Sequence, residues 1–176
     1  MRVLRRFVAF STLALLAACE TVGAPPPPPP MAPPSATVFR SSDFSWSAVP
    51  GRNAVVGRLT YKRPEARYTC AGAAVVLTPE TLWTRRRMNI LYNSPISAAL
   101  PVEEVRARTP ASNGEDFSAF VRRTTCDAAD RFSFSGLPDG AWYVISVAKP
   151  AEGRGPSIAV MRRVETRGGR PTSVGL

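Results

Sequence analysis

Arg131-Phe132-Ser133-Phe134-Ser135-Gly136-Leu137-Pro138-Asp139-Gly140-Ala141-Trp142-Tyr143-Val144-Ile145-Ser146-Val147 is the stretch that decides the fold. Phe132 and Phe134 alternate with serines, the two-residue period of a strand with one apolar face. Leu137 to Gly140 supplies turn chemistry, with proline to fix φ and Asp-Gly to reverse the chain. Ala141 to Val147, aromatic and β-branched, reads as the next strand. The pattern predicts two strands joined by a tight turn, with Phe132 and Phe134 in the core.

The same grammar extends in both directions. Ala54 to Tyr61 reads as a strand, and Ala73 to Leu77 as a buried one ended by Thr78-Pro79. Phe117 to Val121 alternates weakly and leads through Arg122 and Arg123 to Cys126, and a further strand runs from Ser157 to Thr166. Gly168-Gly169 marks a turn before Thr172 to Leu176, which predicts a closing hairpin. Val38 to Trp46 reads as a flanking strand or an ordered lead-in. Short, regularly spaced strands with Gly and Pro punctuation predict an all-β chain, an antiparallel two-layer β-sandwich.

One region breaks the rhythm. From Pro79 to Tyr92, Leu82, Met88 and Leu91 lie among Arg85, Arg86 and Arg87, and Pro79 suits a helix start. A short helix or a long excursion between strands follows. Leu82, Trp83, Ile90 and Tyr92 form a partial docking face, which either meets a partner or covers one open end of the sandwich.

Cys126 to Tyr143 also resembles the core motif of carboxypeptidase regulatory-like domains: an acidic turn, a Phe-x-Phe strand, a Leu-Pro-x-Gly turn and an aromatic strand. Gly57-Arg58-Leu59-Thr60 and Cys70 to Leu77 fit the first two strands of that family, and Val164 to Leu176 its last hairpin. The resemblance implies a transthyretin-like sandwich whose relatives are commonly non-catalytic and assist folding, binding or attachment.

The amino terminus carries a second resemblance. Arg2, Arg5 and Arg6 precede an apolar run from Phe7 to Leu16, and Leu16-Ala17-Ala18-Cys19 closes it in the manner of a bacterial lipoprotein signal peptide. A spanning helix needs roughly 20 apolar residues, more than this run holds. The resemblance implies cleavage before Cys19, diacylation of its thiol and a membrane lipid anchor. Glu20 is not the aspartate that retains such proteins at the inner membrane, so the expected location is the periplasmic face of the outer membrane. The organisation is then a signal peptide over 1–18, a lipidated Cys19 and proline-rich linker over 19–37, and a sandwich domain over 38–176. Pro25 to Pro30 is unbroken proline, extended at about 3.1 Å per residue, which reads as a spacer or as a ligand for an aromatic groove.

Processing changes the charge and the cysteine count. The chain has 23 basic and 13 acidic residues; loss of Arg2, Arg5 and Arg6 leaves 20 basic, a net +7. Only Lys62 and Lys149 are lysines, and arginine favours two-point contacts with carboxylates and phosphates. The densest runs are Arg85-Arg86-Arg87, Arg122-Arg123 and Arg162-Arg163. In an envelope the matching anions are lipopolysaccharide, cell-wall acids or acidic proteins; nucleic acid is not expected there. With Cys19 lipidated, Cys70 and Cys126 are left to form a disulfide in an oxidising compartment. The alternative, a redox pair or metal site, lacks a Cys-x-x-Cys and any histidine.

Absence of histidine removes metallocarboxypeptidase zinc chemistry and a Ser-His-Asp triad. The chain also lacks the Tyr-Arg-Gly-Ser terminus of the transthyretin-related hydroxyisourate hydrolases. Asp127, Asp130 and Asp139 fall in or beside turns, where capping local amides is the usual role; calcium at Asp127 and Asp130 is the alternative. No catalytic residue, cofactor or metal is expected. The expected function is a non-catalytic envelope binding or scaffolding module on a stalk. Its candidate binding residues are Trp83, Arg85, Arg86, Arg87, Tyr92, Arg122 and Arg123, and its alternative role is an anion binder acting through the arginines. An unrecognised hydrolase is the weaker alternative.

Overall fold

Phe132 and Phe134 are buried while Ser133 and Ser135 between them are exposed, the alternation that the sequence predicts. The computed structural model describes residues 35–64, 66–110 and 116–176. The expected signal peptide, Cys19 and the proline run through 34 lie outside the described residues.

Among the described residues ten strands form two sheets. In the smaller sheet β1 (Asn53–Arg58) lies between β7 (Arg131–Leu137) and β10 (Pro171–Gly175). The larger sheet has seven strands. Its order is β2 (Lys62–Arg63), β3 (Ala66–Thr69), β8 (Gly140–Pro150), β4 (Ala74–Pro79) and β6 (Arg122–Thr125), with β9 (Ile158–Thr166) also on β8 and β5 (Ser97–Pro101) on β9. The fold is an all-β sandwich.

Inner faces of both sheets make the main core. Val55, Phe132, Phe134, Leu137 and Val174 meet Val75, Leu77, Trp142, Val144 and Val160 across it. Each fully buried side chain of this kind contributes about 1.5–3 kcal/mol. Gly57 lies opposite Phe132 in the ladder, and a Cβ there would stand 2.1 Å from Phe132 Cζ. Gly57 therefore makes room for the ring.

β8 is buried on both faces. Trp142 and Val144 enter the main core, whereas Tyr143 turns to the outer face and packs with Met88, Leu91, Tyr92, Ala159 and Met161. The outer cover is α1 (Leu82–Tyr92), with α2 (Val102–Ala107) beside it supplying Val102 and Val105. The region from Pro79 to Tyr92 is thus a helix that covers a sheet face. Pro79 does not start it, because Pro79 ends β4 in register with Trp142. Thr81 is the N-cap instead, in a reciprocal capping box with Thr84.

Two other expectations change, one open alternative is settled, and several short elements are new. Phe117 to Val121 is not a strand: Ser118–Phe120 is a 3-10 turn, and three residues per turn put Phe117 and Phe120 on one side, against Trp83 and Phe44. Val38 to Trp46 is an ordered lead-in containing a 3-10 helix, Ser41–Ala48. The tail does not close a hairpin on β9. Gly168 and Gly169, both with φ near 70°, carry the chain to the other sheet, where β10 runs parallel to β1 as the exception to antiparallel pairing. Finally β2, β3, β5 and α2 lie in segments that the periodicity left unassigned.

Candidate functional site

The aromatic side chains expected on the surface face inward. Trp83 is 5% exposed and sits in a ring cluster with Phe39, Phe44 and Phe117, at centroid distances of 5.3–6.3 Å. The helix phase explains this: Trp83, Thr84, Met88, Leu91 and Tyr92 share the inward face, which leaves Leu82 and Ile90 outside. Tyr92 is buried, and desolvation pushes its hydroxyl up to about 12.

The arginine runs divide in the same way. Arg87 lies over both Trp83 and Phe117, at 5.4 and 5.6 Å, and so staples the 3-10 turn before β6 to the helix. Arg85 reaches Glu80 at 3.3 Å, while Arg86 is exposed. Arg122 is a structural clamp. It lies 5.8 Å over Trp142 and donates to the carbonyls of Ser47, Ser135 and Gly136 at 3.2–3.3 Å. Arg123 is exposed one residue on. Adjacent positions in a strand point to opposite faces, so Arg122 and Arg123 do not form one site. Of the cysteines, Cys70 and Cys126 form a disulfide, Cα atoms 5.7 Å apart; Cys19 lies outside the described residues.

Acidic groups are engaged in structure. Glu80 accepts from Tyr143 Oη at 2.9 Å and Arg163 Nε at 2.7 Å. That contact raises the Arg163 pKa, and burial followed by the Glu80 contact raises that of Tyr143. Asp139 Oδ1 accepts from Asn53 Nδ2 and Gly168 N, tying the β7–β8 turn to the crossover. Asp127 Oδ1 accepts from the amides of Ala129 and Arg131, and the latter bond leads the causes that hold its pKa low. Asp130, at φ 61°, accepts on Oδ1 from Thr69 Oγ1, Cys70 N and Ala71 N. Both aspartates cap turns. Among the described residues no three His, Cys, Asp or Glu side chains cluster as a metal site.

An open basic groove lies elsewhere. Where β1 ends, Leu59 N bonds Asp130 O, the chain turns out through Thr60 and Tyr61, and the short β2–β3 hairpin returns it to the end of β8 at Tyr68. The resulting cleft of about 520 Å³ is walled by Tyr61 and Tyr68 and lined by Arg58, Lys62, Arg63 and Arg67, with Asp130 beneath. The tyrosines meet edge to face with centroids 4.9 Å apart. Arg63 Nε donates to Tyr61 Oη at 2.6 Å, and Tyr68 Oη donates to Pro156 O at 3.4 Å. Arg58, Lys62 and Arg67 enter no ion pair among the described residues. Thr60 also lines a second cleft of about 380 Å³ that holds Arg162, Thr172 and Ser173. Shared Thr60 makes the two clefts neighbours.

Sequence reading missed this groove because it ranked arginines by adjacency. The available signal was interleaving: Arg58, Lys62, Arg63 and Arg67 alternate with Tyr61 and Tyr68 inside one strand-and-hairpin unit.

No protein-family model matches the chain, and no curated protein matches it. Among solved structures the fold is similar to that of a protein from Pseudomonas aeruginosa proposed to bind carbohydrate. The TM-score is 0.53, at 19% sequence identity, over 81% of this chain and 99% of that one. At that identity the likeness speaks for the sandwich fold alone.

Proposed function

We propose that this chain is an envelope lipoprotein whose sandwich is a non-catalytic binding module for an anionic envelope component. The observation that carries the reading is the groove between β1 and the β2–β3 hairpin: four cationic residues line one cleft in which, among the described residues, Asp130 is the one carboxylate, with its Oδ1 occupied by local donors. Such a surface favours anions and draws them in by long-range attraction. The lipobox at Leu16 to Cys19 supports a lipid anchor, Glu20 supports the outer membrane, and the proline run supports a spacer on the order of 50 Å. The motif from Cys126 to Tyr143 supports kinship with carboxypeptidase regulatory-like domains, and the carbohydrate role proposed for the similar P. aeruginosa protein accords with a binding module.

Co-sedimentation of the purified chain with cell-wall sacculi, and capture on immobilised lipopolysaccharide, test the reading across a salt series. Retention should fall steeply as salt shortens the Debye length from about 10 Å at 0.1 M to about 3 Å at 1 M. Retention indifferent to salt would move the site to an apolar interface, and the exposed Leu82 and Ile90 on α1 are the surface that would then serve.

A further inference from the structure

We infer that the β1–β2–β3 groove takes an acidic saccharide chain, a sugar polymer bearing carboxylates or phosphates. The inference rests on the anion-binding reading above and narrows it. A site for a small inorganic anion needs only converging donors. This one adds the half-buried Tyr61 ring, Pro64 and the Thr60 hydroxyl along an open cleft, which give a carbon skeleton apolar surface and a hydrogen-bond partner. Asp130 Oδ1 already receives Thr69, Cys70 and Ala71, so the described cations, rather than this carboxylate oxygen, set what the groove selects. Its donors are cationic, so the ligand must bring negative charge as well as a ring.

Length follows from the second cleft. Thr60 borders both clefts, and Arg162 stands in the second, so cationic groups continue past the tyrosine pair toward β9 and β10. A single sugar would occupy one cleft, whereas a chain of acidic units would meet cations in both. The two flanks are held in place differently. On one side Tyr68 is pinned through Pro156 O. On the other, β1 and β10 are fixed by Thr60 Oγ1, which donates to Leu176 O at 2.9 Å.

Isothermal titration of the full chain in detergent with a galacturonate oligomer, a neutral oligosaccharide of equal length and inorganic phosphate tests this. The galacturonate oligomer should bind, and it should bind at least about tenfold more tightly than phosphate, with no measurable heat from the neutral oligomer. Arg67→Gln and Lys62→Gln, at exposed positions of the hairpin, should each weaken the oligomer by about tenfold, the effect of losing one hydrogen bond to a charged group. Tyr61→Ala should weaken the oligomer but leave phosphate unchanged, and Arg162→Gln should weaken long oligomers more than the single sugar acid. Phosphate binding equal to the oligomer, with Tyr61→Ala silent, would overturn the saccharide inference and leave the anion reading standing. Salt-sensitive retention on envelope material that survives Arg58→Gln, Lys62→Gln, Arg63→Gln and Arg67→Gln together would overturn the groove for both.

Discussion

Opening the Cys70–Cys126 bridge should cost about 4 kcal/mol, and the structure specifies how that loss would divide. The two residues are 56 apart in sequence, and their bond joins the turn before β4 to the end of β6. In the chain-entropy account a closed loop of this size restricts the unfolded chain by about 14 cal/mol/K, or about 4 kcal/mol at 25 °C. Nothing in that account depends on native contacts. The native ladder around the bridge is already closed by Gly72 N to Cys126 O, Ala73 N to Cys70 O and Cys126 N to Ala73 O, so the reduced protein should keep its fold. Both side chains are buried, so replacing cysteine with alanine would add a packing loss. Reduced wild-type protein retains both sulfurs and isolates the cross-link. With a urea slope of about 2 kcal/mol/M, the midpoint should drop by about 2 M on reduction, and the slope should rise because the unlinked chain unfolds to a more expanded state. Urea titration followed by far-UV circular dichroism, with and without reductant, measures both. A stability difference under about 1 kcal/mol, or an unchanged slope, would refute the entropic reasoning.

Gly57→Ala places a methyl 2.1 Å from Phe132 Cζ and should destabilise by about 1–3 kcal/mol in thermal or urea unfolding, while Gly168→Ala, with nothing within 4 Å of its Cβ, loses only what its positive φ demands. Arg122→Ala removes the cation over Trp142 and three carbonyl contacts, a loss of about 2 kcal/mol; Arg122→Lys should recover little of it, because one ammonium cannot match the planar fork. Tyr92 ionises near 12 in the fold against 10.0 when solvated, so its contribution is whole below pH 10 and is lost at about 1.4 kcal/mol per pH unit from there toward pH 12. Tyrosinate absorbance of the native protein should show Tyr92 and Tyr143 ionising only well above the range of a solvated tyrosine; ionisation of both near pH 10 would contradict their burial.

Strand existence was legible where apolar residues had a period. Phe132 and Phe134 located β7, which alternates because one face is buried and the other exposed, and Trp142 to Val147 located β8, which is almost continuously apolar because both faces have a partner layer. What escaped was long-range: Thr172 to Leu176 has the same local signature whether it pairs with β9 or with β1, and only the crossover at Gly168 and Gly169 decides. Phe117 and Phe120 were misread because two aromatics three apart suit a 3-10 turn as well as a weak strand, and Trp83 settles the choice from a distant segment. The disulfide was legible once Cys19 was set aside for the lipid anchor, which leaves two cysteines. The basic groove was not, since Arg87 and Arg122 read as free charge until the rings beneath them were visible, whereas Arg58 and Arg67 are separated by a turn and only folding brings them to one cleft.

The parallel pairing of β10 with β1 has a consequence for how such a chain is delivered. Ala54 stands beside Pro171 and Arg58 beside Gly175, so the smaller sheet joins an early segment to a very late one. A polypeptide threaded through a narrow pore amino end first cannot finish this sheet in transit, because the strand that completes it has not emerged. The sandwich remains open to threading until residue 171 is through, and then the last strand latches the first.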